Sequence, residues 1–278
     1  MGSALGTDFA RKGHSVLGLR RQWVGPPPQG ITPITADLLD PESLKNLPQV
    51  DFVVLCQAPK RENDSYRQTY FEGTKNLLAK MGSDPLSTGS DPFLILISST
   101  SVYSTGDGSW VDETTLVDGG RFETKEAEAN AKVLVETERL VLSSGIPSII
   151  FRLGGIYGPG RHRLKALKEG KMKPSFSETM INRIRVEDIV AGIELLMTKG
   201  KQGEIYLGVD DHPSTQKEFY EWVYEKTGWP RPNSNGASAG MVHGSNKRCS
   251  NKKIKELGLK LEYPSFKEGY AALLKEVA

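Results

Sequence analysis

The sequence has few of the residues that disulfide-stapled or metal-binding proteins require. Only 2 cysteines, Cys56 and Cys249, and 4 histidines occur in 278 residues, and no short spacing relates them. This distribution argues against a disulfide framework and against a zinc site of the C-x-x-C or H-x-x-x-H kind. We therefore predict no metal centre and a reducing, cytoplasmic environment.

Two kinds of segment are also missing, a long apolar run and a strongly basic stretch. No run of about 18 apolar residues occurs, and the N-terminus does not follow the basic-then-apolar pattern of a signal peptide. The 36 basic and 34 acidic residues give a net charge of +2, and no basic stripe alternates with aromatic residues. We expect neither a membrane partner nor a nucleic-acid partner.

The apolar residues, 37% of the chain, fall into alternating strand-like and helix-like segments. The run at 51–55 predicts a fully buried strand of a parallel sheet. This alternation is typical of an α/β fold with a doubly wound parallel sheet. Predicted strands cover 15–19, 31–36, 51–55, 93–97 and 204–209; predicted helices cover 41–47, 66–81, a stretch from 186, a stretch within 213–228, and the C-terminal residues from 266.

The first 21 residues have the order of a dinucleotide-binding βαβ unit. Leu5 and Phe9 share one helical face, Gly13 stands where a helix ends, and an apolar strand follows up to Arg20 and Arg21. In such a unit a strand and a G-x-G-x-x-G turn precede the helix, so that backbone N–H groups at the helix N-terminus reach a pyrophosphate. The pattern predicts a nucleotide site around this helix.

Further motifs follow in a fixed order along the chain. They are ADLLDPESL at 36–44, EGTKNLL at 72–78, ISSTSVYS at 97–104, IIFRLGGIYGPGR at 149–161 and INRIRVEDIVAGI at 181–193. Over essentially its whole length the sequence thereby resembles the extended short-chain dehydrogenase/reductase family, of the NAD-dependent epimerase/dehydratase type. The resemblance implies a Rossmann-type core over residues 1–160 and a smaller substrate lobe over residues 161–278.

The resemblance also aligns Gly2 with the third glycine of the family's turn. The first strand and the first two glycines of the family pattern then have no counterpart in this sequence. Either the natural chain is longer at this end, or the cofactor site is degenerate. Without a first strand, we expect a rearranged sheet, a strand supplied by another copy in a homodimer, or lowered stability.

Several residues match the family's cofactor contacts. Arg20 and Arg21 favour NADP over NAD, because guanidinium groups pair with a 2′-phosphate whereas a carboxylate would bind the free ribose. NAD remains the alternative cofactor, and the two arginines could instead be solvated surface charges. The full set that the resemblance implies is Gly2, Leu5, Arg20, Arg21, Asp37, Leu38, Gln57, Ala58, Ser98 and Gly154.

The sequence departs from the family at the catalytic residues. Ser99 matches the family's serine, but no tyrosine lies between Tyr103 and Tyr157, so the expected Y-x-x-x-K pair is absent. In that pair the lysine lowers the pKa of the tyrosine, which then transfers a proton. We take Ser99, Tyr103 and Tyr157 as the candidate catalytic residues.

The following helix can be aligned with the family in two ways at the position of the missing pair. One places Asn130 and Leu134 at the tyrosine and lysine positions, and the other places Glu128 and Lys132 there. Neither alignment restores the pair. Later in the chain, Lys247 and Arg248 lie in a segment similar to the family's substrate-facing region, where they are either anion contacts or surface charges.

The resemblance implies an NADP-dependent oxidoreductase, epimerase or dehydratase that acts on a small polar, sugar-like molecule. The alternative is a non-catalytic dinucleotide-binding or scaffold protein of the same fold. The missing Y-x-x-x-K pair and the incomplete glycine turn favour this alternative.

Overall fold

The computed structural model describes residues 1–59, 65–83, 92–117, 122, 124–231 and 246–277. Its α-helices are α1 (Gly2–Arg11), α2 (Ser65–Arg67), α3 (Gly73–Ser83), α4 (Lys125–Leu142), α5 (Leu164–Lys168), α6 (Val186–Lys199), α7 (Gln216–Thr227), α8 (Lys252–Leu257) and α9 (Phe266–Leu274). Its strands are β1 (Val16–Arg20), β2 (Ile31–Thr35), β3 (Phe52–Leu55), β4 (Phe93–Ser99), β5 (Trp110–Val111), β6 (Ser148–Leu153), β7 (Gly155–Tyr157), β8 (Met180–Ile181), β9 (Arg183–Arg185), β10 (Ile205–Gly208), β11 (Ser214–Thr215) and β12 (Arg248–Cys249).

The chain divides into two compact units, each built from several segments. The first unit contains Met1–Ser98, Ala129–Phe151 and Val190–Ile205, and the second contains Ser99–Glu128, Arg152–Ile189 and Tyr206–Ala278. The units interleave along the sequence, so the predicted boundary near residue 160 coincides with no boundary between them. The assignment of 1–160 to nucleotide binding and 161–278 to substrate binding stays a prediction.

The main strands form two separate hydrogen-bonded sheets. β1 pairs in parallel with β2, from Val16 opposite Ile31 to Arg20 opposite Thr35. The other sheet has the order β10-β6-β4-β3, in which β3 and β4 are parallel neighbours. Within the described part of the chain, no strand is hydrogen-bonded between β1 and β3. This split sheet is the arrangement that the alignment of Gly2 predicts, and the α/β fold with a parallel sheet is confirmed.

The prediction that β3 is fully buried is wrong. Phe52 is 41% exposed, Val53 and Val54 are half-buried, and only Leu55 is buried. The reason is the position of β3 at the edge of its sheet, where β4 is its only hydrogen-bonded neighbour among the described strands. An apolar run therefore does not by itself distinguish a central strand from an edge strand.

The core of the first unit forms where α3 and α4 bury their apolar faces against the strands. Helix α1 packs in the same way, with Leu5 and Phe9 buried on one side and Gly13, at φ 90°, following its end. Positive φ is a conformation that glycine adopts without strain. The central cluster comprises Leu55, Leu77, Leu78, Met81, Leu94, Leu96, Val141, Ile146 and Ile150.

The second unit is built from short strand pairs and from helices with apolar faces. β7 and β9 are parallel, and β8 and β11 are antiparallel. Helix α7 begins where the Thr215 hydroxyl accepts a hydrogen bond from Glu218 N, and Gly228 follows its end at φ 65°. These boundaries agree with the predicted helix and with ordinary capping. The core of the second unit comprises Tyr157, Leu164, Leu167, Phe219, Val223, Tyr224, Phe266, Tyr270 and Leu273.

Candidate functional site

Two glycines bring the N-terminal part of α1 close to the strands of the first unit. A Cβ atom on Gly2 would lie 3.1 Å from Cys56 Sγ, and one on Gly6 would lie 2.6 Å from Ile31 Cδ1. Close helix–strand packing is the role of the third glycine in a dinucleotide fingerprint. The helix has Met1 at its N-cap, and the Met1 side chain makes no capping hydrogen bond.

Arg20, at the end of β1, lies next to this helix. Its Nη2 donates to Ser3 Oγ at 2.8 Å, and its guanidinium carbon is 4.5 Å from the centroid of a Trp23 ring. Arg21 is exposed. The structure therefore places one predicted phosphate-binding arginine beside the first turn of α1 and leaves the other in solvent.

The segments that follow β2 and β3 meet at the start of α3. A Cβ on Gly73 would lie 3.1 Å from Leu38 Cβ and 3.5 Å from Gln57 Oε1. Asn76 Nδ2 donates to Leu38 O at 2.8 Å, which fixes the backbone of this segment. The Asp37 carboxylate stabilises the turn that follows it, because its Oδ1 accepts a hydrogen bond from Leu39 N at 3.0 Å. Leu38 and Gln57 therefore both lie near the start of α3, and their assignment to the cofactor stays a prediction.

Other predicted cofactor residues of the first unit differ in exposure. Leu5 is buried on the inner face of α1, whereas Ala58 is exposed after β3. Ser98 Oγ is buried and donates to Glu138 Oε1 of α4 at 2.5 Å. The Ser98 hydroxyl therefore ties β4 to α4.

Gly154, a predicted cofactor residue, lies in the second unit and has a packing role. Its N–H donates to Gly208 O at 3.0 Å. A Cβ at this position would lie 3.0 Å from Asn182 O and 3.1 Å from Val209 Cγ1. A glycine is needed here because a neighbouring backbone approaches closely.

The candidate catalytic residues Ser99 and Tyr103 are both engaged in local hydrogen bonds. Ser99 Oγ is half-buried and accepts from Ser101 N at 3.1 Å. The Tyr103 hydroxyl donates to Asp112 O at 2.7 Å and accepts from Arg152 Nη1 at 2.8 Å. Tyr103 is 0% exposed, and burial raises the pKa of its hydroxyl although Arg152 opposes the shift. This tyrosine is built into the core.

Tyr157, the other candidate tyrosine, has a buried hydroxyl with no hydrogen-bond partner among the described residues. Its ring stacks on Tyr270 with centroids 4.6 Å apart. A Cβ on Gly269 would lie only 1.9 Å from the hydroxyl oxygen. Burial, and next the carboxylate of Asp210, raise the pKa of Tyr157. The phenol is therefore held protonated against α9.

Two buried ionisable residues near Tyr157, Asp210 and Arg183, were not predicted. Asp210 is 2% exposed, and its N–H donates to Arg183 O at 2.7 Å. Arg183 donates to Ser214 Oγ at 2.6 Å, and its guanidinium carbon lies 4.6 Å from the Phe219 ring centroid. In the sequence, the only indication of Arg183 and Asp210 was that each is a charged residue inside or directly after an apolar run. Such a pattern does not indicate which residues lie close together in the folded protein.

The basic pair after residue 246 has structural contacts in the second unit. Lys247 is buried, and its Nζ donates to Tyr103 O at 3.2 Å. Arg248 Nη1 donates to Gly108 O. Lys247 is thus not a surface charge, which was one of the two alternatives for this residue.

Helix α4 does not supply the missing tyrosine and lysine. Leu134 is buried, whereas Lys132 is exposed on the opposite side. In either alignment, this described helix therefore presents no Y-x-x-x-K pair.

Among the residues that the structure describes, no helix is both long and apolar enough to cross a bilayer. In the same part of the chain, no three His, Cys, Asp or Glu side chains are grouped so that they could hold a metal ion.

The first unit fits the adenosine half of a nicotinamide dinucleotide in its chemistry. It combines a helix N-terminus without a side-chain cap, a guanidinium beside that helix, and an apolar side chain at Leu38. Helix N-termini and arginines favour phosphate groups. The residues present therefore fit a nicotinamide dinucleotide in their chemistry. The alignment of Gly2 with the third glycine of the family's turn stays a prediction.

The comparisons with known proteins agree with this fold and chemistry. Over 277 residues, 95% of this chain and 93% of the relative, the sequence is 27% identical to the protein YeeZ of Escherichia coli strain K12. A Methylobacillus flagellatus structure with a provisional assignment as an NAD-dependent epimerase/dehydratase is 27% identical, with a TM-score of 0.76 and coverage of 98% of this chain and 93% of that one.

A more distant structure shares the fold. It is the Bordetella bronchiseptica enzyme WbmG in complex with NAD and UDP, 18% identical, with a TM-score of 0.75 and coverage of 99% of this chain and 90% of that one. The sequence model of the NAD dependent epimerase/dehydratase family matches residues 1–212. The chain therefore belongs to the NAD dependent epimerase/dehydratase family.

Proposed function

We propose that this protein binds NADP and acts as an oxidoreductase, epimerase or dehydratase on a small polar, sugar-like substrate. The observation that carries the proposal is the position of Arg20, whose guanidinium lies beside the first turn of α1 at the end of β1. The family supports a nicotinamide dinucleotide, and the preference for NADP rests on Arg20 and Arg21. The substrate class follows from the family resemblance.

The adenine, ribose, 2′-phosphate and pyrophosphate of the cofactor have candidate contacts in the first unit. Arg20 and Arg21 would pair with the 2′-phosphate, Leu38 would contact the adenine, and Gln57 would lie near a ribose. The N–H groups after Gly2 would face the pyrophosphate, since anions are stabilised at helix N-termini. When bound, the nicotinamide ring supplies or accepts a hydride.

A hydride transfer to a carbonyl requires a proton donor, and the candidate donors in this protein are Ser99, Tyr103 and Tyr157. Ser99 can donate a hydrogen bond to a substrate oxygen, but an unperturbed hydroxyl is a poor acid at neutral pH. The Tyr103 hydroxyl donates a hydrogen bond to Asp112 O, and Tyr157 is 3% exposed. Tyr157 can act as the acid only if α9 moves away from its hydroxyl, which has no hydrogen-bond partner within the described residues.

The cofactor preference can be measured directly on the full chain. We expect NADPH to bind at least tenfold more tightly than NADH in calorimetric titrations, because pairing a guanidinium with a phosphate is a strong, charge-assisted interaction. The double variant Arg20→Ala, Arg21→Ala should lose this preference. Equal affinities in the unaltered protein, or a preference that survives the double variant, would contradict the assignment.

A non-catalytic dinucleotide-binding protein is the second candidate. The observation that favours it is that both candidate tyrosines are buried and have pKa values raised by burial. A positioned acid or base typically contributes about 100-fold to 10,000-fold to a rate. A panel of sugar-nucleotide and carbonyl substrates with NADPH separates the two candidates. NADPH binding without turnover of any substrate would favour the binding protein.

A further inference from the structure

The side chain of Arg20 is held from two sides although it lies at the surface. Ser3 Oγ accepts from its Nη2 at 2.8 Å, and a Trp23 ring lies 4.5 Å from its guanidinium carbon. The Ser3 contact directs the guanidinium toward the first turn of α1. Exposed Arg21 has neither kind of contact among the described residues.

Trp23 is itself fixed on the strands. Its Nε1 donates to Ile34 O of β2 at 3.1 Å. The ring also packs over β1 at Gly18, where a Cβ atom would lie 2.7 Å from Ile31 Cγ2, 3.1 Å from Trp23 Cη2 and 3.2 Å from Trp23 Cζ2. A glycine inside a strand is normally unfavourable and often marks a close approach. Here Gly18 leaves the space that the Ile31 side chain and the indole occupy.

We infer that Trp23, seated on Gly18, positions Arg20 for the 2′-phosphate of NADP and thereby sets the preference for NADP over NAD. This inference rests on the proposed function, since it requires NADP binding at Arg20. The physical basis is pre-organisation. A free arginine loses much rotamer freedom when it binds a phosphate, whereas a guanidinium already stacked on an anchored indole loses less.

The test uses two nucleotides that differ only in the 2′-phosphate, namely 2′,5′-ADP and 5′-AMP. Calorimetric titration of the full chain with each nucleotide gives a ratio of dissociation constants. We expect Trp23→Ala to weaken the binding of 2′,5′-ADP by about fivefold and to leave the affinity for 5′-AMP nearly unchanged. An exposed cation–π contact contributes a free energy of about this size. Trp23→Phe keeps a ring under Arg20 and should recover most of the loss.

Arg20→Ala and thermal unfolding serve as controls that separate the possible failures. A loss of 2′,5′-ADP affinity in Arg20→Ala but not in Trp23→Ala would overturn the positioning role and leave the proposed function intact. An equal loss for both nucleotides in Trp23→Ala, with a lowered melting temperature, would show a purely structural role and also overturn it. If the unaltered protein does not prefer 2′,5′-ADP, the NADP assignment itself fails, and the inference fails with it.

Discussion

Replacing Asp210 by asparagine should make the stability of the protein less dependent on pH. Its carboxylate is buried in the second unit, and Oδ1 accepts from His212 N at 3.2 Å. Oδ2 has no hydrogen-bond partner among the described residues. The charged groups that act on it are Arg183, Asp211 and Asp188, and of these only Arg183 favours the ionised form.

The size of the effect follows from the pKa of this carboxyl group. Burial raises the pKa of Asp210 from its ordinary value of 3.8 to about 8. Between these values the folded protein keeps a proton that the unfolded chain releases. Stability therefore falls as the pH rises from about 4 to about 8, with a slope of up to about 1.4 kcal/mol per pH unit from this one group.

The assay is urea unfolding of the full chain at several pH values between 5 and 8.5, in which each unfolding curve is extrapolated to a free energy in water. The substituted asparagine side chain cannot ionise, so the variant should gain stability relative to the unaltered protein as the pH rises. Glu178→Gln is the control, because it removes a negative charge from a surface carboxylate that pairs with Lys217 at 2.9 Å and is not among the groups that act on Asp210. Parallel pH profiles for Asp210→Asn and the unaltered protein would refute the reasoning.

Two further predictions concern packing in the second unit and are checked by urea unfolding. Tyr103→Phe should destabilise the protein by about 1–2 kcal/mol because the hydrogen bond to Asp112 O is lost, whereas Tyr157→Phe should be neutral or stabilising because its hydroxyl has no partner in the described chain. A destabilising Tyr157→Phe would show that a partner exists. Gly269→Ala should cost about 1–3 kcal/mol because its Cβ would lie 1.9 Å from the Tyr157 oxygen. Gly106→Ala, with nothing within 4 Å of its Cβ, is the control, and equal effects would contradict the packing argument.

Local patterns predicted much of the fold. Helix α7 was readable because Phe219 and Val223 repeat with the helical period and Gly228 ends the pattern. The position of β3 at the edge of its sheet could not be predicted from the sequence. It depends on which strands pair and not on the apolar content of residues 52–55. The split between β1 and β3 was predictable only because the family alignment fixed the position of Gly2.

The candidate site was predicted less completely than the fold. Arg20 was assigned from its position at the end of a predicted strand and Leu38 from the family resemblance, and both assignments stay predictions. The support of Arg20 by Trp23 was not predictable, because it depends on an indole that follows the strand and folds back onto Gly18. The sealed hydroxyl of Tyr157 depends on Gly269, which is far away in the sequence. Contacts of this kind carry no short-range pattern.

The separate pair of strands β1 and β2 has a consequence for how a ligand would bind. Two strands alone are marginally stable, and α1 packs on this pair where Gly6 lies close to Ile31 and Val16. Segments of this kind open locally more readily than central strands do. A ligand bound at Arg20 would therefore suppress this local opening, and part of its binding free energy would be spent on keeping the pair folded. A ligand that binds at the end of β1 would therefore have an affinity that is thermodynamically linked to the local folding equilibrium of β1 and β2.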